Sequence, residues 1–210
     1  MFIDEKNKDI VYNFDDSLPF EFYLQKPEVV AKRLLGKIFV RKMPDGKTLA
    51  GKIVETEAYL SANDISSHSR NGKTERNSAM FAFGGILYVY FIYGAHFCVN
   101  VVTEAEGKGS AVLLRALEPL AGIGVMIENR KVDSIARLCK GPGNLTKAFG
   151  ITREHNFASL LTPDLFIQNS TDIADEDIIN TRRIGIKNED RLNLRYFIRN
   201  SKYVSSIRKL

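Results

Sequence analysis

The stretch Gly51-Lys-Ile-Val-Glu55-Thr-Glu57-Ala-Tyr59-Leu-Ser-Ala-Asn-Asp64-Ile-Ser-Ser-His68-Ser-Arg70 decides how the rest of the chain is read. Its first half is strand-like, and along a strand over residues 52–59 side chains two apart share a face. Ile53, Glu55, Glu57 and Tyr59 then point one way, and Lys52, Val54, Thr56 and Ala58 the other. A carboxylate next to an aromatic at a strand end suits activation of water beside a flat substrate. It suits an ordinary strand edge equally well, since strand glutamates are commonly solvated or paired. Parity alone leaves Glu55 and Glu57 equivalent.

Working outward, residues 37–42 read as the first arm of a hairpin, Met43-Pro-Asp-Gly46 as its turn, and residues 49–59 as the returning strand. Upstream, Pro27-Glu28 opens a helix with an apolar stripe of Val29, Val30, Leu34 and Leu35, stopped by Gly36. Residues 1–20 are acidic and poorly periodic and form an N-terminal appendage, which leaves residues 21–210 as one domain. Downstream, residues 61–77 are polar and aperiodic, a loop carrying His68, Arg70, Lys73 and Arg76. Residues 86–103 are rich in β-formers and form a second hairpin with Tyr93-Gly94-Ala95-His96 at or near its tip. Tyr88 and Tyr90 lie on its first arm, and Asn100 interrupts the apolar return strand.

Residues 110–117 read as a further strand whose apolar run is broken by Arg115, a group that is either paired with a buried acid or aimed at an anion. Glu118-Pro-Leu120 then turns into a helix over residues 121–130, and a Gly-Pro-Gly loop at 140–144 precedes another near 145–149. Residues 159–179, with Asp172, Asp175, Glu176 and Asp177, read as a solvated acidic face. Residues 182–187 and 194–199 return to basic strands. There is no internal repeat and no linker, so one domain is the economical reading.

Composition narrows the functions open to such a domain. At 44% hydrophobic and 26% charged residues the chain is globular rather than disordered, and no apolar run is long enough to span a bilayer. Its first residues are acidic where a secretory signal would be basic, so it is not expected to be secreted. Cys98 and Cys139 have neither disulfide-framework nor zinc spacing and read as reduced thiols. His68, His96 and His155 likewise lack metal-ligand spacing. The formal net charge of +5 is uneven: residues 1–30 hold seven acids and three bases, so the remainder carries +9. That surplus suits a polyanionic partner.

Glu55-Thr-Glu-Ala-Tyr59, His68-Ser-Arg70, Tyr88-Val-Tyr-Phe-Ile-Tyr-Gly94, Asn100 and Leu113-Leu-Arg-Ala-Leu-Glu-Pro119 together resemble the alkyladenine (3-methyladenine) DNA glycosylases of the mammalian type. The likeness starts near Glu28 and continues through Cys139-Lys-Gly-Pro142 to Arg183-Ile-Gly185 and residues 196–199. It implies a single mixed α/β (α+β) domain with a curved, antiparallel-rich sheet, surrounding helices and a protruding hairpin that enters DNA. It implies a base-excision-repair enzyme that flips a damaged purine out of duplex DNA and hydrolyses its N-glycosidic bond. By the same resemblance Glu57 is the catalytic carboxylate and Arg115 its partner near the water and the lesion phosphate. Tyr59, His68, Tyr90 and Asn100 form the base pocket, Tyr93 is the intercalating wedge, and the backbone of Ile184 contacts the water. Glu55 is left as a structural partner for an arginine.

The substrates implied are alkylated or deaminated purines: 3-methyladenine, 7-methylguanine, hypoxanthine and ethenoadenine. No metal and no cofactor is implied, and the expected state is a monomer acting on double-stranded DNA without a membrane. The expected location is the cytoplasm or nucleoid of a bacterium, or the nucleus of a eukaryote. The alternative is a non-catalytic nucleic-acid-binding module on the same fold. A nucleoside hydrolase, also considered, fits less well with the +9 body and the hairpin.

If the basic body holds phosphates, DNA affinity falls log-linearly with salt concentration, a slope read directly from binding titrations; a flat response counts against DNA binding.

Overall fold

The computed structural model describes residues 11–92, 94–186 and 192–205. Two short helices open it, α1 (Phe20–Tyr23) and α2 (Pro27–Arg33). Pro27 occupies the first turn of α2, where its missing N–H costs nothing, and Gly36 follows the helix at φ +85°. Val30, Leu34 and Leu35 are buried, but Val29, expected in the same stripe, is exposed.

The hairpin β1 (Ile38–Lys42) and β2 (Thr48–Tyr59) follows. A second hairpin pairs β3 (Leu87–Ile92) with β4 (His96–Thr103). Ile92 faces His96 in register, which leaves a three-residue tip with Gly94 at φ +64°. Tyr93 lies outside the described residues. β5 (Ser110–Ala121) then leads into α3 (Ile123–Arg130), α4 (Ile135–Leu138) and α5 (Pro142–Phe149). The chain ends with β6 (Leu161–Thr162), β7 (Leu165–Gln168), β8 (Ile178–Thr181) and β9 (Arg195–Ile198).

All pairings in this α+β domain are antiparallel, in the order β3-β4-β5-β2-β1-β7-β6. The sheet forks at β2. Residues up to Lys52 pair with β1, whereas Glu55–Glu57 pair with β9, which in turn carries β8. At the fork the ladder between β2 and β5 is irregular around Glu55. Ile53 with its partner Leu117, and Ala58 with its partner Val112, nevertheless belong to one buried cluster with Val30 and Ala31 of α2 and Leu34 just after it. The Thr56 hydroxyl donates to the Ala31 carbonyl at 2.8 Å, on that same helix side. Strict alternation would put Ile53 and Ala58 on opposite faces, so the irregularity switches parity. Ile53 therefore leaves the company in which alternation put it, while Glu55, Glu57 and Tyr59 stay together.

Several other expectations change on the structure. Pro119 lies inside β5, opposite Gly51, rather than in a turn, and α3 begins only after Gly122 at φ +73°. β4 covers β5 no further than Leu113 in register, so Pro119 sits where one side of the strand is unpaired. β7, inside the stretch read as a solvated face, is buried beside β1; four residues covered on both sides carry no alternating signal. Residues 182–186 are irregular, β8 stops at Thr181, and Lys187 lies outside the described residues. The described part of the N-terminal stretch packs on β7: Leu18 is buried and donates its amide to the Ile167 carbonyl at 2.8 Å. Residues 1–10 of the expected appendage lie outside the described residues. No helix among those described is long and apolar enough to cross a membrane.

Gly84 sets how closely α1 approaches the second hairpin, because a Cβ there would collide with the Tyr23 backbone carbonyl. Gly84→Ala is expected to cost about 2 kcal/mol, as backbone collisions in a core do, and to lower the urea midpoint accordingly.

Candidate active site

β2 carries Tyr59 to the wall of a cleft of about 1040 Å³ and holds Glu57 and Glu55 buried behind it. Tyr59, His68, Tyr90, Leu113, Arg115, Ile184 and the Gly141–Asn144 segment are among its lining residues. Sheet register explains the meeting. Glu57 lies opposite Leu113 of β5, Leu113 opposite Asn100 of β4, and Asn100 opposite Tyr88 of β3.

Glu57 is fully buried. Its Oε1 accepts the Ile184 amide at 2.8 Å, and its Oε2 accepts the Tyr59 hydroxyl at 3.1 Å. Arg115 Nη1 stands 3.1 Å from Oε2. Burial pushes the Glu57 carboxyl up, and although Arg115 and the Ile184 amide pull it down, the net position is above the usual carboxylate range.

Glu55 is equally buried but better supplied. Its Oε1 accepts from Arg115 Nε at 2.9 Å, Arg195 Nε at 2.7 Å and the Ser205 hydroxyl at 2.8 Å, and its Oε2 accepts the Ser205 amide at 2.6 Å. Burial opposes its ionisation too, but Arg115, Arg195 and Ser205 together outweigh it and the net shift is downward. Two carboxylates two residues apart are thus driven in opposite directions, the pattern by which sites separate chemical roles.

The loop of residues 60–77 contains no helix or strand and is ordered by its polar side chains. Asp64 accepts the amides of Leu60 and Ser66, and Asn77 donates to the carbonyls of His68 and Gly72. His68 Nδ1 lies 2.9 Å from the Tyr88 hydroxyl, and its ring meets Tyr90 edge-on at 4.6 Å between centroids. Burial, with Arg76 and Arg70 nearby, lowers its pKa, so the imidazole is neutral at pH 7. Tyr90 stacks on Tyr88 at 5.2 Å. Burial raises both phenols, Tyr88 to about 12, so both stay protonated.

Of the residues singled out beforehand, the structure brings together Glu57, Arg115, Tyr59, His68, Tyr90 and Ile184. Asn100 shares their face by register but does not line the cleft; it is buried and donates Nδ2 to the Tyr88 carbonyl at 3.2 Å. The Ile184 amide contacts the carboxylate itself. Sequence reasoning missed Asp64, Arg183, Arg195 and Ser205. Arg183 makes a two-pronged pair with Asp64, both contacts at 2.7 Å, and its guanidinium lies 4.5 Å from the Tyr59 ring centroid. It anchors the turn presenting Ile184. The Arg182-Arg183 pair and the lone acid in a polar loop were visible, but nothing local joined residues 119 positions apart.

A buried carboxylate of raised proton affinity beneath an aromatic-lined slot, bridged to an arginine and a backbone amide, can take a proton from water beside a flat ring. Residues 21–202 match the family model described as methylpurine-DNA glycosylase (MPG). Three relatives bear the name "Putative 3-methyladenine DNA glycosylase". The protein of Prosthecochloris aestuarii is 46% identical over 88% of this chain and 89% of its own. That of Chlorobium phaeobacteroides is 43% identical over 90% and 96%, and that of Methanoculleus marisnigri 45% over 90% and 98%. The chain belongs to the methylpurine-DNA glycosylase family, as its own motifs led one to expect.

Asp64→Ala removes the carboxylate of a buried ion pair that also braces the Ile184 turn. It is expected to cost about 3 kcal/mol, seen as a lowered urea midpoint at unchanged slope.

Proposed function

We propose that this DNA glycosylase excises alkylated purines from double-stranded DNA, 3-methyladenine and 7-methylguanine first among them, by a Glu57-activated water. The observation that carries the proposal is Glu57 itself: buried, shifted upward and held by Arg115 and the Ile184 amide beside a slot walled by tyrosines. A base in the stack cannot present its glycosidic carbon, so it is extruded, at a cost of a few kcal/mol. Tyr93 fills the vacated space as a wedge, and Tyr59, Tyr90 and His68 take the base. Aromatic faces attract cationic rings. N3- and N7-alkylated purines carry positive charge, and a neutral His68 offers no repulsion. Asn100, which does not line the cleft, braces the Tyr88 strand behind the slot.

Hydrolysis follows the oxocarbenium route of glycoside cleavage. As the C1′–N bond breaks, its electron pair returns to the base and neutralises the ring. Glu57 stabilises the developing sugar cation and takes the proton of the water whose oxygen bonds to C1′. A cationic leaving base needs no general acid. Hypoxanthine and ethenoadenine, which are neutral, are slower substrates. No lysine is among the described residues that line the cleft, in keeping with a monofunctional enzyme that leaves an abasic site. It acts as a monomer and without a cofactor, in the nucleoid of a bacterium or archaeon or the nucleus of a eukaryote.

Glu57→Gln on a duplex carrying one hypoxanthine or ethenoadenine should slow base release by about 10²–10⁴-fold while DNA is still bound. Release at near wild-type rate removes Glu57 from this role. Binding by the wild type without abasic-site formation favours the non-catalytic module. Since Glu57 acts ionised and its pKa is raised, activity should fall as pH drops through a value above the ordinary carboxylate range. That acid limb should be absent from any residual Glu57→Gln activity.

A further inference from the structure

The mechanism above leaves Glu55 unused, although it is buried and accepts four hydrogen bonds beside Glu57. It does not touch the open cleft. Four donors converge on it: Arg115 from β5, Arg195 from β9, and both the hydroxyl and the amide of Ser205. Ser205 belongs to the segment after β9, which crosses back over the site. Its hydroxyl also lies 3.4 Å from Arg115 Nη2. The segment is tied to the cleft wall, because Lys140 Nζ donates to the Lys202 carbonyl at 3.1 Å and Val204 beside Ser205 is buried.

Arg115 is therefore gripped at Nε by Glu55, and at Nη2 it meets Ser205. Only Nη1 then points at Glu57. A guanidinium is planar, so fixing two of its nitrogens dictates where the third lies. We propose that Glu55 and Ser205 are positioning residues for catalysis: the C-terminal segment locks Glu55, Glu55 locks Arg115, and Arg115 is thereby aimed at the Glu57 carboxylate. This rests on the assignment of Glu57 as the water-activating group.

Charge joins geometry in the chain of contacts. The groups that face Glu57 are Arg115 from β5, Arg195 opposite it on β9, Tyr59 and Glu55 on β2, and Tyr90 and Cys98 from β3 and β4. Among them Glu55 makes Glu57 harder to ionise and Arg115 makes it easier. Neutralising Glu55 removes the first effect and leaves the Arg115 charge balanced by Glu57 rather than shared with a second carboxylate. Both changes lower the pKa of Glu57.

The test compares Ser205→Ala, Ser205→Thr, Glu55→Gln and Glu57→Gln in single-turnover base release from a duplex with one ethenoadenine, alongside DNA affinity and thermal unfolding. Ser205→Ala should slow release about tenfold, the worth of one hydrogen bond to a charged group, with DNA affinity unchanged. Ser205→Thr, which keeps the hydroxyl, should restore most of that rate. Glu55→Gln should move the acid limb to lower pH besides slowing release. A lowered melting temperature with wild-type rate and an unmoved limb makes both residues merely structural and overturns the proposal. Should Glu55→Gln not fold, the Ser205 pair decides by rate and rescue alone. If Glu57→Gln stays active, the Glu57 assignment fails and this proposal with it. If Glu57→Gln is inactive while Ser205→Ala and Glu55→Gln match the wild type, only this proposal fails.

Discussion

The structure depends on a guanidinium held between two buried carboxylates. Arg115 joins Glu55 to Glu57 at 2.9 and 3.1 Å, in a place where each isolated charge would cost several kcal/mol. With Arg195, the group holds two acids and two bases, so it is neutral when both carboxylates are ionised. The two acids are not equivalent within it. Glu55 accepts four strong bonds and stays charged; Glu57 has fewer donors and keeps a raised affinity for a proton. A carboxylate under-supplied with donors is one with basicity left for water.

The fold exists to make that inequality possible. β2 is long enough to serve two strand partners along one edge, β1 first and β9 afterwards. The parity switch at the fork lets Ile53 and Ala58 both serve the main core while Glu55, Glu57 and Tyr59 face the other way. Without the irregularity, a strand with a buried apolar face would have to send either the core residues or the acids to the wrong side. β9 brings Arg195, and the segment after it brings Ser205, so the strand that completes the fork also supplies the donors that Glu55 needs.

Around the carboxylate the aromatic side of the cleft is uncharged. The tyrosines are held protonated by burial and His68 is held neutral by burial and by two arginines. Arg183, which stacks behind Tyr59, is paired with Asp64. The slot thus presents π-faces with a buried carboxylate behind them.

Much of this was legible beforehand because it is local. Period-two spacing marked β2, the Asp-Gly turn marked the first hairpin, and the run of tyrosines with Gly94 marked the second. The ordered motifs carried family membership and named Arg115, Tyr59, His68 and Tyr90, which line one cleft, and Glu57, which is buried behind it in contact with Arg115 and Tyr59. β7 was lost because a short strand covered on both faces has no periodicity, and β5 was cut short because a proline inside it reads as a turn. What only the tertiary structure decided was which groups support the acids. Arg195 and Ser205 reach Glu55 from 140 and 150 residues away, and Asp64 reaches Arg183 across 119. Such pairings leave no trace in local spacing. A strand's sequence states that an acid is present and which way its neighbours alternate. How many donors converge on that acid, and hence whether it is a buried brace or a base, is set by which distant strands the sheet brings alongside.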